Sequence, residues 1–245
     1  MASAAQFTDP YLHHYTTVPA AGPGVCAVCH SGPAPGYAVC FSCQEVMRQV
    51  SHPVMTVVPI SLYALNSQLW HVLRYYKDGS GRSAELLATQ VAAIIARFAA
   101  RHLRCVAAGL GGDPDVVTGV PSTRPRPGRH PLETAMRRSA GLAPRYRPLL
   151  ARGTGSADHN QADDDAFTVP RRLGGERVLL LDDTFTTGAR LQSAASALRL
   201  HGASAVAAVV VGRVINPEWN ENCRRIWDQA RETQFSFERC CLCRG

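Results

Sequence analysis

Residues 178–188 read Val-Leu-Leu-Leu-Asp-Asp-Thr-Phe-Thr-Thr-Gly, and this stretch restricts the fold more than any other part of the chain. Four consecutive apolar residues suit a short strand buried on both faces, the environment of a parallel sheet covered by helices. Residues 189–200 follow with a helical pattern that stops before Gly202, the small residue expected just past a helix end. Residues 206–211 are apolar again, so strand, helix and strand alternate as in a parallel sheet with crossover helices. Ligand crevices of such sheets open at the carboxyl ends of their strands. Asp182 and Asp183 fall at that position.

Two adjacent carboxylates there need donors. Sugar hydroxyls suit them, because a carboxylate accepts O–H bonds strongly and orients a diol, such as that of a ribose. Thr184, Phe185, Thr186, Thr187 and Gly188 then lead into a helix, whose first amides and positive end favour a phosphate. Gly188 allows close approach of an oxyanion to the backbone. The competing reading is that the Asp and Thr residues only cap the next helix. No Walker-type loop occurs, and Gly109-Leu-Gly-Gly112 lacks the rest of a dinucleotide fingerprint.

A second strand end carries related chemistry. Residues 116–120 form an apolar run ended by Pro121, after which Ser122, Thr123 and Arg124 offer hydroxyls and a cation to a leaving pyrophosphate. A proline-rich surface connection is the alternative.

Cys26-x2-Cys29-x10-Cys40-x2-Cys43 has the paired spacing at which four thiolates surround one tetrahedral zinc ion. Four sulfur ligands leave no open position, so a metal held there is structural. Cys223, Cys240, Cys241 and Cys243 either build a second metal site, join the first, or remain free thiols, and their crowding favours free thiols.

The remaining pattern gives strands over 54–63, 116–120 and 178–181, and helices over 68–77, 82–103, 132–142, 189–200 and 218–231. The expected layout is a loose tail over 1–25, a zinc knuckle over 26–50, one α/β domain over 51–215 with a parallel sheet of about five strands, and a helix with a Cys-rich tail over 216–245. Residues 153–165 are polar and acidic and read as mobile. No apolar run of membrane-crossing length and no secretory leader is expected, which makes a cytoplasmic location the default. A net charge of +7 favours anionic partners.

Residues 178–188 resemble the PRPP-binding signature of type I phosphoribosyltransferases, and 116–123 resemble the pyrophosphate loop of the same family. The resemblance implies that Asp182 and Asp183 hold the ribose hydroxyls, that 184–188 bind the 5′-phosphate, and that Mg²⁺ accompanies the pyrophosphate. A zinc knuckle ahead of such a domain is similar to the ComF-like competence proteins. Further similarities are the Tyr-containing strand and Lys-ended helix over 63–77, Val120-Pro121, and Asn160 with Ala166-Phe167. The resemblance covers residues 26–212. The family's Arg-Gly-Phe-Asn-Gln stretch is replaced here by Gly128-Arg-His-Pro-Leu-Glu133, and Asp163-Asp-Asp165 makes the following segment acidic. Two functional expectations follow: transfer of ribose 5-phosphate from PRPP to a nitrogen nucleophile, or PRPP or nucleotide binding without turnover beside a nucleic-acid-processing partner. A third reading, direct nucleic-acid binding, rests on the basic charge alone. A homodimer is compatible with all three.

Overall fold

The computed structural model describes residues 3–77, 79, 81–122 and 130–243. The strands are β1 (Val57–Tyr63), β2 (Val116–Gly119), β3 (Ala151–Arg152), β4 (Phe167–Thr168), β5 (Arg177–Phe185) and β6 (Ala205–Val214). The α-helices are α1 (Ala4–Thr8), α2 (Phe41–Met47), α3 (Gln68–Tyr75), α4 (Gly81–Leu110), α5 (Pro131–Arg138), α6 (Ala189–Leu200) and α7 (Glu221–Glu232). Among the described residues, four strands rather than five form the parallel sheet, in the order β1-β6-β5-β2. β3 and β4 pair with each other, antiparallel, outside it.

Side chains of β5 alternate between two covered faces, as the pleat requires. Leu179 and Leu181 join Ile60, Leu62, Val209 and Val211 in the core beneath α3, α4 and α5. Val178 and Leu180 join Ala208 and Val210 in the core beneath α6, and the four knuckle cysteines belong to that same cluster. Each of these buried Val, Leu and Ile side chains stabilises the fold by about 1.5–3 kcal/mol. The knuckle is therefore packed into the sheet's own core.

β2 stops early. Its last pairing is Gly119 with Leu181, followed by one bond from Val120 N–H to the Leu181 carbonyl at 2.9 Å. On the other side β6 stays paired with β5 as far as Phe185. Residues 182–185 thus project past β2, supported on one flank and open on the other.

Several expectations are corrected. Residues 4–25 are not a loose tail: Ser3 and Gln6 form a capping box that starts α1, and Tyr15, Val18 and Val25 are buried in the core. Their partners lie far along the chain, which local pattern cannot reveal. Tyr15 meets Phe235 and Phe237 edge-on at 5.3 and 6.0 Å. α4 runs to Leu110 instead of ending near 103, because Phe98, His102, Val106 and Leu110 continue one buried stripe at four-residue spacing. It is long and apolar enough by composition to cross a membrane, contrary to expectation, yet Val91, Ile94, Ile95 and Phe98 pack in the core as in an interior helix.

Candidate functional site

The bend after β5 is built as the sequence suggests. Gly188 has φ +92°, and a Cβ there would lie 2.3 Å from the Phe185 ring, so only glycine allows this turn. The Thr187 hydroxyl accepts from the Asn160 N–H at 3.3 Å. Gln192 N–H reaches the Gly188 carbonyl at 2.8 Å and begins the regular bonds of α6. The amides of Thr186, Thr187 and Gly188 have no acceptor among the described residues. Three such donors beside a helix start form a cradle for an anion.

This bend lines a cleft of about 450 Å³ together with Asp182, Thr184, Ala189, Arg190, Leu191, Arg152 and residues 156–159. Arg190 donates to the Pro121 carbonyl at 2.8 Å, which ties the second loop to the first. Its Nε is buried without a partner. Arg190 and Arg152 bring two cations to a cleft whose wall already offers amide donors, an arrangement complementary to a phosphorylated ligand.

The two aspartates face opposite ways because they are neighbours on one strand. Asp182 opens on the cleft and accepts the Asp183 amide at 2.9 Å. Burial raises its carboxyl above the usual range; nearby Arg190 opposes the rise and Asp183 adds to it. Asp183 lies on the α3 side, buried, where the Lys77 ammonium sits at 2.6 Å and the Tyr76 hydroxyl donates to the same oxygen at 2.5 Å. Burial alone would raise the Asp183 carboxyl as well, but Lys77 and Tyr76 outweigh it and hold it below the usual range. The Thr184 hydroxyl donates to its other oxygen at 3.1 Å.

Phe185, expected with the phosphate-binding residues, turns its ring into the core instead. Pro121 and Ser122 are half-buried beside the strand end, whereas Thr123 and Arg124 lie outside the described residues.

The acidic segment 163–165 performs a local task. Asp163 accepts from Asp165 N–H at 2.8 Å and Ser156 N–H at 3.0 Å. Asp164 accepts from the Ser51 and Ser196 hydroxyls at 2.6 and 2.5 Å. Burial raises the Asp164 carboxyl, but these bonds more than offset it and lower it below the ordinary range. Asp163 thus closes the segment on itself, and Asp164 pins it to α6 and to residue 51.

At the knuckle, the sulfurs of Cys26, Cys29, Cys40 and Cys43 all lie within 4.8 Å of one another and all four residues are buried. Cys29 and Cys40 sulfurs are 3.6 Å apart, and the Cys40 amide points at Cys26 sulfur at 3.3 Å. This donor set fits a tetrahedral metal such as zinc. α7 closes over it: a Cβ on Gly32 would meet the Cys223 backbone nitrogen at 2.3 Å, and the Asn220 and Asn222 side chains donate to Gly32 and Pro33 carbonyls. Cys223 is thereby held outside the sulfur cluster. Arg213, from β6, is buried between the cysteines and the Phe185 ring, with its guanidinium 5.1 Å from the ring centroid. Burial disfavours its charge, but Cys29, Cys40 and Cys43 reverse the effect and raise its pKa.

Sequence reasoning missed Arg152, Arg190 and the Tyr76–Lys77–Asp183 contact as a unit. Arg190 had a readable signal, since it directly follows Gly188-Ala189; the others meet only through the fold. Of the C-terminal cysteines, read as free thiols, Cys240 and Cys243 converge with His102 and Cys105. Comparison of the chain with protein-family models finds no match, and comparison with curated proteins finds none.

Proposed function

We propose that this chain is a phosphoribosyltransferase of the type I fold, which binds PRPP and transfers its ribose 5-phosphate to a nitrogen nucleophile. The observation that carries this reading is the single cleft in which Asp182 stands beside three amides with no acceptor among the described residues. Amides 186–188 and the Thr186 and Thr187 hydroxyls take the 5′-phosphate, and Arg190 and Arg152 add charge to that wall. Asp182 accepts from the ribose diol. Asp183 works from behind, holding Lys77 at the strand end.

In the proposed reaction the bond from C1 to the pyrophosphate oxygen breaks, its electron pair leaving on pyrophosphate. The nitrogen lone pair forms the new C1–N bond and the nitrogen loses a proton. Positive charge on the sugar is greatest between these events, so a nearby ionised Asp182 stabilises it. Ser122, with Thr123 and Arg124 of the loop that Pro121 opens, receives the pyrophosphate, whose charge a bound Mg²⁺ would help to neutralise.

Calorimetry with PRPP and Mg²⁺ tests the binding step. Asp182→Asn is expected to weaken PRPP affinity at least tenfold while leaving the unfolding midpoint within a few degrees; unchanged affinity would sink the assignment. Pyrophosphate release across a panel of nitrogenous bases and amines tests transfer. Binding with no release from any acceptor would favour the non-catalytic reading instead.

A further inference from the structure

The chain's last cysteines form a cluster that neither the ribose cleft nor the knuckle uses. α4 presents His102 and Cys105 one turn apart and therefore on one face. Cys240 and Cys243 meet them in a tight turn closed by the Cys243 N–H to Cys240 carbonyl bond at 3.1 Å. The imidazole nitrogen and three sulfurs all lie within 4.8 Å of one another. Cys243 sulfur is 3.5 Å from Cys240 sulfur, 3.9 Å from Cys105 sulfur and 3.6 Å from His102 Nδ1. Cys105 sulfur is 3.8 Å from the same nitrogen. A zinc tetrahedron with bonds of about 2.3 Å to sulfur and about 2.1 Å to nitrogen has edges of about 3.6–3.8 Å. The four measured edges agree with it.

The surroundings orient the ligands as well. His102 is buried, and its Nε2 lies 2.8 Å from the Phe237 carbonyl. A carbonyl only accepts, so Nε2 carries the proton and Nδ1 turns a lone pair toward the sulfurs, the outer hydrogen bond that fixes a histidine for metal binding. The Cys240 amide points at Cys243 sulfur at 3.2 Å, a contact that favours thiolate. Cys241, between the two, faces the core instead.

We propose that His102 Nδ1 and the sulfurs of Cys105, Cys240 and Cys243 bind a second zinc ion, separate from the Cys26–Cys43 centre, that fastens residues 233–243 to the end of α4. Four protein ligands leave no position for water or substrate, so the ion is structural. The fastened segment carries Phe235 and Phe237 onto Tyr15, while the Arg97 guanidinium lies 4.6 Å over Phe237 and donates to Thr8 at 2.7 Å. The ion thus secures residues 233–243 to the same helix on which α1 packs. Cys105, Cys240 and Cys243 are all half-buried, whereas all four knuckle cysteines are buried. A chelator should reach this ion first.

The test is zinc content of the full chain purified under reducing conditions. Two equivalents are expected for the native protein, one for Cys240→Ser with Cys243→Ser, and two for Cys241→Ala. One equivalent in the native protein that survives Cys240→Ser with Cys243→Ser would overturn the proposal, as would a native mass lower by two hydrogens, which reports a disulfide. Cobalt substitution guards against misfolding of the double variant. His102→Cys keeps four ligands, so it should retain two metal equivalents and gain thiolate charge-transfer absorbance; two equivalents without that gain would also overturn it.

Discussion

Replacing Lys77 by methionine should destabilise the protein by about 3 kcal/mol at neutral pH, because it strips the cation from a buried carboxylate. The ammonium is 2.6 Å from Asp183, whose side chain is 2% exposed, while that of Lys77 is 21% exposed. At that distance and an effective dielectric of about 20, the gross attraction is about 6 kcal/mol. Desolvating both ions cancels a large part, and breaking a buried pair typically costs about 3–5 kcal/mol. The lower end applies here, because the Tyr76 hydroxyl and the Arg190 charge remain in the variant. A loss of about 3 kcal/mol corresponds to a rise of about 2 in the Asp183 pKa.

The sign of the pH dependence follows from the depressed carboxyl. Its contribution is fully present above the unfolded value of about 4 and is lost as pH falls through the lower folded value. The gap between native protein and Lys77→Met should therefore be largest at pH 7 and shrink below pH 4. Urea titrations at pH 7, 5 and 3 measure it, with the same pair compared in an Asp183→Asn background, where the gap should fall below about 1 kcal/mol. A gap of equal size in both backgrounds, or one that does not change with pH, would refute the argument by showing that the lysine stem rather than its charge matters.

Gly188→Ala should cost about 2–3 kcal/mol in thermal or urea unfolding, since the left-handed backbone and the clash with Phe185 act together, and it should abolish phosphate binding with them; a wild-type midpoint would mean the turn is freer than described. Gln192→Leu should cost about 3 kcal/mol by urea titration, because the buried Gln192 amide serves both the N–H and the carbonyl of Val54 at 2.8 and 2.9 Å and leaves them unmet when removed. A loss below about 1 kcal/mol would indicate that water replaces it.

How much of this was legible in the sequence depended on how far apart the interacting residues lie. β5, α6 and β6 were readable because each is specified by its own residues: an unbroken apolar run, a helical stretch closed by Gly202, and a second apolar run. The Cys26–Cys43 spacing was readable for the same reason. The true end of α4 was hidden because His102 looks polar while standing on its buried stripe. Cys240-x2-Cys243 is itself a paired spacing, obscured by Cys241, and its partners precede it by more than a hundred residues. The adjacent aspartates looked like one unit, although strand geometry sends them to opposite faces. The acid run 163–165 looked like part of a mobile acidic segment, but only the fold brings Ser51 and Ser196 within reach of it.

Arg213 links two regions that would otherwise be independent. Its guanidinium is a cation wedged between sulfur and a phenyl ring, and that ring forms the floor on which Gly188 rests. Once the four sulfurs are ionised around a divalent ion, the centre is net anionic and the wedge is neutralised locally. The same guanidinium also donates to the Phe185 and Val214 carbonyls, so it is tied to both strands beneath the bend. A metal held at the knuckle would therefore bear on the bend through one side chain, Arg213, and the Phe185 ring.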